Sequence, residues 1–335
     1  MIDGRSFAAG QAFLLSVKAC WTRTIFPAVK AEHDAGKRLE GSTLYAYFCW
    51  LERHLQRFKY SGRYGLQPYH AQDRARLEAS LAEAEVELRD GMEFPEYYTA
   101  VDIHQHPGGV WSDPIAGFVY ERGARSTTPL AGAKHKDLHE RLTAAALDGR
   151  PAPSSVLDMA CGFGKSTRPF YEALPNAAIE AIDFSAPCLR LAARDAHRAG
   201  ARNVRFRQRD ATDTGYPEAS FDLVTSTMLL HELPPKAVER TFVEAARVLK
   251  PGGRMVHLDF LPGPHSFDRL IHFGHGRRNN EPFMEPLAGM DLPKLLDGLG
   301  FRNVEIRPLE EADGALAPEY RYWRFPWTLI SAERW

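Results

Sequence analysis

The sequence predicts an α/β protein: a doubly wound, mostly parallel sheet preceded by an α-helical N-terminal cap. Three observations carry this. From residue 154 onward, short apolar runs alternate with helical patterns. The first 150 residues read as helices rich in aromatic side chains. The first apolar run ends in a glycine-rich turn, Asp158-Met159-Ala160-Cys161-Gly162-Phe163-Gly164. Strand–helix alternation of this kind builds a parallel sheet covered on both faces.

In the first half, the clearest helical stripe spans about 72–89, with Leu77, Leu81, Ala84 and Leu88 on one side. A second helix runs near 43–58, through Tyr45, Phe48, Trp50, Leu51 and Leu55. Between 94 and 130 the pattern turns irregular around His106-Pro107-Gly108-Gly109 and Trp111-Ser112-Asp113-Pro114. A last helix is expected over 135–148. The breaker Gly149-Arg150-Pro151-Ala152-Pro153 then marks a boundary between a cap, 1–150, and a sheet domain, 151–335.

Val156-Leu157 opens the first strand and Ile179–Ile182 the second. Val204–Phe206, Phe221–Thr225 and Met255–Phe260 follow. Ser185-Ala186-Pro187 is an N-cap with proline in the first turn, and Gly200 closes that helix. A helix over 236–249 carries Val238, Phe242, Ala245 and Leu249 on one side. Val304–Ile306 and Trp327–Ile330 read as an antiparallel pair with no helix between them. They bring the count to seven strands.

Composition narrows the function classes. The chain has 335 residues, 44% apolar and 25% charged, with a net charge of −1. A polyanionic partner requires a concentrated basic face, so neither nucleic acid nor an anionic membrane is expected. The four cysteines are scattered, with no zinc-type spacing, which fits a reducing cytoplasm. No apolar run approaches the roughly 20 residues of a membrane helix.

The glycine turn has several candidate ligands. A Walker loop fails because Met159 stands where glycine is required. The dinucleotide pattern is weakened by Thr167 at its last small position. Asp158 faces a pyrophosphate badly and suits a cationic amine and sulfonium. Asp183 ends the second strand, where a carboxylate accepts from ribose hydroxyls. Asp210 follows the third, beside Ala211, where an acceptor next to a backbone N–H pairs with adenine. Three acids after three successive strands thus read as methionyl, ribose and adenine contacts.

Val156 through Gly164 resembles motif I of the class I S-adenosyl-L-methionine-dependent methyltransferases, with Ala160 where that family usually has glycine. Ala181-Ile182-Asp183-Phe184-Ser185, Asp210-Ala211, Phe221–Val224 and Arg247–Gly253 are similar to its later motifs. The nearest flavour is the small-molecule group that includes the ubiquinone and menaquinone C-methyltransferases. The resemblance covers roughly 150–335. It implies a Rossmann-like fold, S-adenosyl-L-methionine as cofactor, and Asp158, Ala160, Cys161, Gly162, Gly164, Asp183, Phe184, Asp210, Ala211 and Thr227 as its contacts. It also points to Tyr120 and Arg125 as groups closing over the methionyl end.

The expected reaction is methyl transfer to the O, N, S or C atom of a small molecule, between cap and sheet domain. The alternative is a cyclase that consumes the cofactor by internal displacement and would need a sealed apolar chamber. His231 is a candidate base or acceptor-orienting group. The plainer reading is a helix-start histidine bonded to backbone. Asp102-x-His104-x-His106 would share one face if extended, the geometry of a metal set. This chemistry needs no metal, so none is expected, and His104, His106 and Trp111 are read as substrate contacts. His272 joins them from the 261–290 connection. There Gly274–Asn280 is either a grip for an anionic acceptor or a solvated loop.

Overall fold

The computed structural model describes residues 3–125, 137–310 and 327–335. Among the described residues, eight α-helices precede the sheet: α1 (Gly4–Cys20), α2 (Phe26–Asp34), α3 (Thr43–Tyr60), α4 (Leu66–Ala71), α5 (Arg74–Ser80), α6 (Glu96–Thr99), α7 (Ala116–Arg125) and α8 (Leu138–Leu147). The sheet domain follows as β1 (Ser155–Met159), α9 (Thr167–Ala173), β2 (Ala178–Asp183), α10 (Ala186–Arg198), β3 (Val204–Gln208), β4 (Phe221–Thr227), α11 (Pro235–Val248) and β5 (Leu249–Phe260). Then come α12 (Ser266–Asn279), α13 (Met284–Ala288), α14 (Leu292–Gly298), β6 (Phe301–Pro308) and β7 (Trp327–Arg334).

The seven strands lie in the order β3-β2-β1-β4-β5-β7-β6, with β7 antiparallel to both neighbours. This is the doubly wound, Rossmann-like sheet the sequence predicts. The order reverses between β1 and β4, where Asp158 pairs with Thr225 and Met159 with Ser226. Such a reversal opens a crevice beyond the carboxyl ends of the strands. One face of the sheet packs on α11 and α14 through Val238, Phe242 and Leu296. The other packs on α8, α9 and α10 through Leu142, Phe170 and Leu189.

The expected caps hold. Ser185 Oγ accepts from the Cys188 N–H at 3.2 Å, and Gly200 ends α10 with φ +76°. Two element readings are corrected. The helix expected over 72–89 stops at Ser80 and runs on only as a 3₁₀ turn to Glu83. Glu87 then bridges β3 at Arg207, and its N–H and C=O pair with Phe206 and Gln208. Unpaired backbone on the sheet edge outweighs helix propensity there. The irregular stretch 94–130 contains α7, with Ala116, Val119 and Gly123 buried. The region between β6 and β7, residues 311–326, lies outside the described residues, as do 126–136.

The cap has its own core: Leu14, Ile25, Phe26, Val29, Phe48, Leu51 and Leu55. It is completed by Phe267 and Ile271 of α12, from the connection after β5. Phe26 meets Phe267 edge-on at 5.7 Å. The solvated-loop reading of 274–280 therefore fails: these residues finish a helix, and Asn280 caps it at φ 60°.

Candidate active site

Cap and sheet enclose one cleft of about 1400 Å³ at the strand-order reversal. Ala160, Cys161, Gly162, Asp183, Phe184, Asp210, Ala211 and Thr227 line it from the sheet side. Tyr120 and His104 line it from the cap, and His272 from α12.

The glycine loop is braced from below. Asp158 is fully buried, and its Oδ2 accepts from Ser166 Oγ at 2.9 Å and Thr167 Oγ1 at 2.7 Å. Burial pushes this carboxyl up to about 7 against the pull of the two hydroxyls. Asp158 thus holds the loop against the start of α9 instead of lining the cleft. Thr167, read from sequence only as a mismatch to the dinucleotide pattern, is one of its anchors. Gly164 likewise lies behind the loop, packed on Ala192 with φ +79°.

Asp183 is clamped at the mouth of β2. Its Oδ2 accepts from the Gly162 N–H at 2.8 Å and its Oδ1 from the Ser185 N–H at 2.7 Å. Burial raises it above the usual carboxylate range, with those backbone donors opposing. Asp210 Oδ1 accepts from the Thr212 N–H at 2.6 Å, which turns the chain after β3. Phe184 meets the cap through Tyr98 at 5.2 Å and Phe94 at 5.9 Å. Tyr97 and Tyr98 both line the cleft. Their spacing resembles any packed aromatic pair; only the approach of the cap to Phe184 reveals the contact.

Tyr120 packs edge-on against Phe163 at 5.5 Å and lies over His104 at 6.1 Å. Arg125, its predicted companion, pairs with Glu121 on α7 and points to solvent. It does not reach the cleft. Trp111 packs on Phe94 at 5.5 Å, outside the lining residues.

The Asp102–His106 segment is not extended. His104 and Gln105 take φ near +55° in a 3₁₀ turn, which splits the three side chains. Asp102 accepts from the Gly108 N–H at 2.9 Å. His106 is buried flat on Tyr60 at 4.9 Å, and burial pulls it to about 4. His104 alone enters the cleft, with Nδ1 2.9 Å from Glu281. Among the described residues, no set of three His, Cys, Asp or Glu side chains forms a metal site.

His231 is 2% exposed and is not among the cleft-lining residues. Its Nδ1 lies 2.6 Å from Asp259 Oδ1 and its Nε2 3.4 Å from Glu232. Burial alone would depress the imidazole, but Asp259 and Glu232 outweigh it and hold it well above the ordinary range. A protonated imidazole has no free lone pair, so His231 is not a ready base. Asp259 also accepts from the Leu230 N–H at 2.6 Å, which fixes the turn after β4. Glu232, the next residue, does line the cleft. From it an alternating series of acidic and basic side chains crosses to the cap. His104 joins Glu232 and Glu281, His275 joins Glu281 at 3.5 Å and Glu52 at 2.6 Å, and Arg278 pairs with Glu52.

The comparisons follow this geometry. The methyltransferase domain family model matches residues 156–253, from β1 to the turn inside β5. The demethylmenaquinone methyltransferase of Thermus thermophilus is 35% identical over 136 residues, 41% of this chain and 60% of that protein. The ubiquinone/menaquinone C-methyltransferase of Stutzerimonas stutzeri is 32% identical over 152 residues, 44% of this chain and 52% of that protein. The chain thus spans about half to three-fifths of the length of these relatives. A phosphoethanolamine N-methyltransferase structure from Haemonchus contortus, solved with S-adenosyl-L-methionine, superposes with a TM-score of 0.50 over 73% of this chain and 60% of that one. At 15% identity it shows a shared fold.

Fold and motifs together point to one class: the sheet is Rossmann-like in its strand order, and within it residues 156–253 match a methyltransferase domain. The resemblance read from the sequence is borne out over residues 156–253, and the same match supports S-adenosyl-L-methionine as cofactor.

Proposed function

We propose that this protein transfers a methyl group from S-adenosyl-L-methionine to a small-molecule acceptor held between cap and sheet. The observation that carries the reading is the single cleft shared by the glycine loop, Asp183 and Asp210 on one wall and the cap on the other. The residues fit the cofactor. Gly162 has open space where a side chain would stand, and Thr227 Oγ1 is buried without a hydrogen-bond partner among the described residues.

The cofactor supplies an activated methyl on a sulfonium; the protein aligns the acceptor and excludes water. In this reading the clamped Asp183 carboxylate accepts from the ribose hydroxyls. Asp210 and the Ala211 backbone receive the adenine edge. Phe184, Tyr98 and Tyr120 shield the donor from solvent. His231 keeps the β4 turn in place through Asp259, while Glu232 is the carboxylate that meets the acceptor side.

Internal displacement is less well supported. A pocket for one drug-sized ligand occupies about 300–1,000 Å³. The cleft of about 1400 Å³ leaves room for a second, and Glu232, His104 and Lys59 bring polar groups into its otherwise largely apolar wall.

Calorimetry with S-adenosylhomocysteine tests the reading. The wild type should bind, and Asp183→Ala should bind at least about tenfold more weakly, the scale of a lost charged hydrogen bond. Equal affinities would remove the ribose assignment, and no binding by the wild type would remove the proposal. Mass spectrometry after incubation with S-adenosyl-L-methionine alone should find no methylthioadenosine.

A further inference from the structure

Four lysines line the cleft, and they are not equivalent. Lys165 is neutralised by Asp137 at 3.0 Å and Lys30 by Asp34 at 2.6 Å. Lys59, in the last turn of α3, is 7% exposed yet opens onto the cleft. Its ammonium makes no ion pair or hydrogen bond with any described residue. Its one recorded contact is the face of Tyr60, at 4.4 Å. A buried ammonium ordinarily has a carboxylate partner, because desolvation costs several kcal/mol per ion.

The nearby acids are engaged elsewhere. Glu281 is held between His104 and His275, and Glu52 between His275 and Arg278. Lys18, from α1, faces the same chamber and adds a second positive charge. Burial, then Lys18, depresses Lys59 well below the usual lysine range, with Glu281 opposing. Burial likewise lowers Lys18 to about 8, against Glu52. In both, burial is the largest cause of the depression. Beside them the wall is apolar: Trp21, Phe26, Leu55, Phe267 and Ile271.

We propose that Lys59, supported by Lys18, is the anion-binding end of the acceptor site, and that the acceptor is a small organic anion with an apolar body. Its carboxylate or phosphate completes the ion pair Lys59 lacks, and its apolar part lies along the cap core. The grip for an anion is therefore not the Gly274–Asn280 segment, whose Arg278 is already neutralised by Glu52 and whose Arg277 pairs with Glu285 at 2.8 Å. This inference rests on the methyltransferase reading, but its test separates the two.

Protein loaded with S-adenosylhomocysteine is titrated calorimetrically at pH 7 with 2-naphthoate, 2-naphthyl phosphate and the neutral 2-naphthamide. At least one anion should bind tenfold or more tightly than the amide, and the stronger arm identifies the headgroup. In Lys59→Gln and Lys59→Met this preference should vanish, while S-adenosylhomocysteine affinity stays within twofold of wild type. Lys59→Met keeps the apolar stem and removes an unpaired buried charge, so its melting temperature should equal or exceed that of wild type. The proposal is overturned if neither anion beats the amide on the wild-type protein, or if the preference survives in a folded Lys59 variant. Loss of S-adenosylhomocysteine binding by the wild type would instead strike the cofactor reading. The anion-to-amide ratio, measured without it, would still decide the role of Lys59.

Discussion

Gly164 and Ala160 both occupy the left-handed backbone region, at φ +79° and +56°, yet their neighbours treat them differently. A Cβ on Gly164 would stand 2.8 Å from the Cβ of Ala192, on the helix that presses the loop from behind. Ala160 already carries its Cβ, at a conformational cost of roughly 1–2 kcal/mol. Gly164→Ala should therefore lose about 2–4 kcal/mol, combining left-handed strain with overpacking. Urea unfolding would measure it, and a loss under 1 kcal/mol would show that α10 gives way. Residues of this kind are legible in a sequence because a strand end and a tight turn dictate them locally. Asp183, Asp210 and Gly162 belong here, and all three stand where the strand pattern places them. His231 and Arg125 were not legible in that way. The direction of His231 is set by Asp259, 28 residues away, and that of Arg125 by Glu121 on a helix hidden in an irregular-looking stretch.

At the scale of elements, the central strands β1, β4 and β5 are visible as apolar runs, because both faces of a parallel sheet are buried, whereas β3 and the edge strand β6 show only alternation. The elements that misled are those decided by distant partners. The segment 84–89 has a helical stripe, but its backbone is taken by the edge of β3. Helix α12 looks like a polar connection of histidines and arginines, since its two core residues, Phe267 and Ile271, find their partners in α1–α3. Phe267→Ala should cost about 3–5 kcal/mol, felt mainly in the cap. Hydrogen exchange should quicken in α1–α3 while the amides of β1 and β4 keep their protection. Uniform loss across both regions would mean that cap and sheet unfold as one unit.

Across the whole molecule, alternating acidic and basic side chains from Glu232 to Arg278 join the sheet to the cap, and His275 sits between Glu281 and Glu52. Burial lowers its pKa, but Glu281 and Glu52 outweigh that and bring it to about 9. A histidine raised in this way contributes stability in full below its unfolded value of about 6.5 and loses it as pH rises towards 9. Lys18, held at about 8, acts in the opposite sense above that pH, and the buried Asp158 carboxyl, raised to about 7, adds a fall of the same sign below it, so the His275 pair is read within 6.5–8 by its difference from a Glu52 variant. The urea midpoint of the cap, followed by tryptophan fluorescence, should fall across this window. Glu52→Gln should flatten the slope, and an unchanged slope in that variant would exclude the His275–Glu52 pair as its source.

The shared core of the cap also sets a timetable. Phe26 and Phe267 are neighbours in space, but 241 positions separate them along the chain. At about 5–20 residues per second of synthesis, the N-terminal helices wait roughly 10–50 s before their last wall exists. During that interval Phe26, Phe48 and Ile25 lack the cover that α12 later provides. A segment made 241 positions before its partner is thus among the last to be finished, and its safekeeping in the meantime falls to whatever attends the nascent chain.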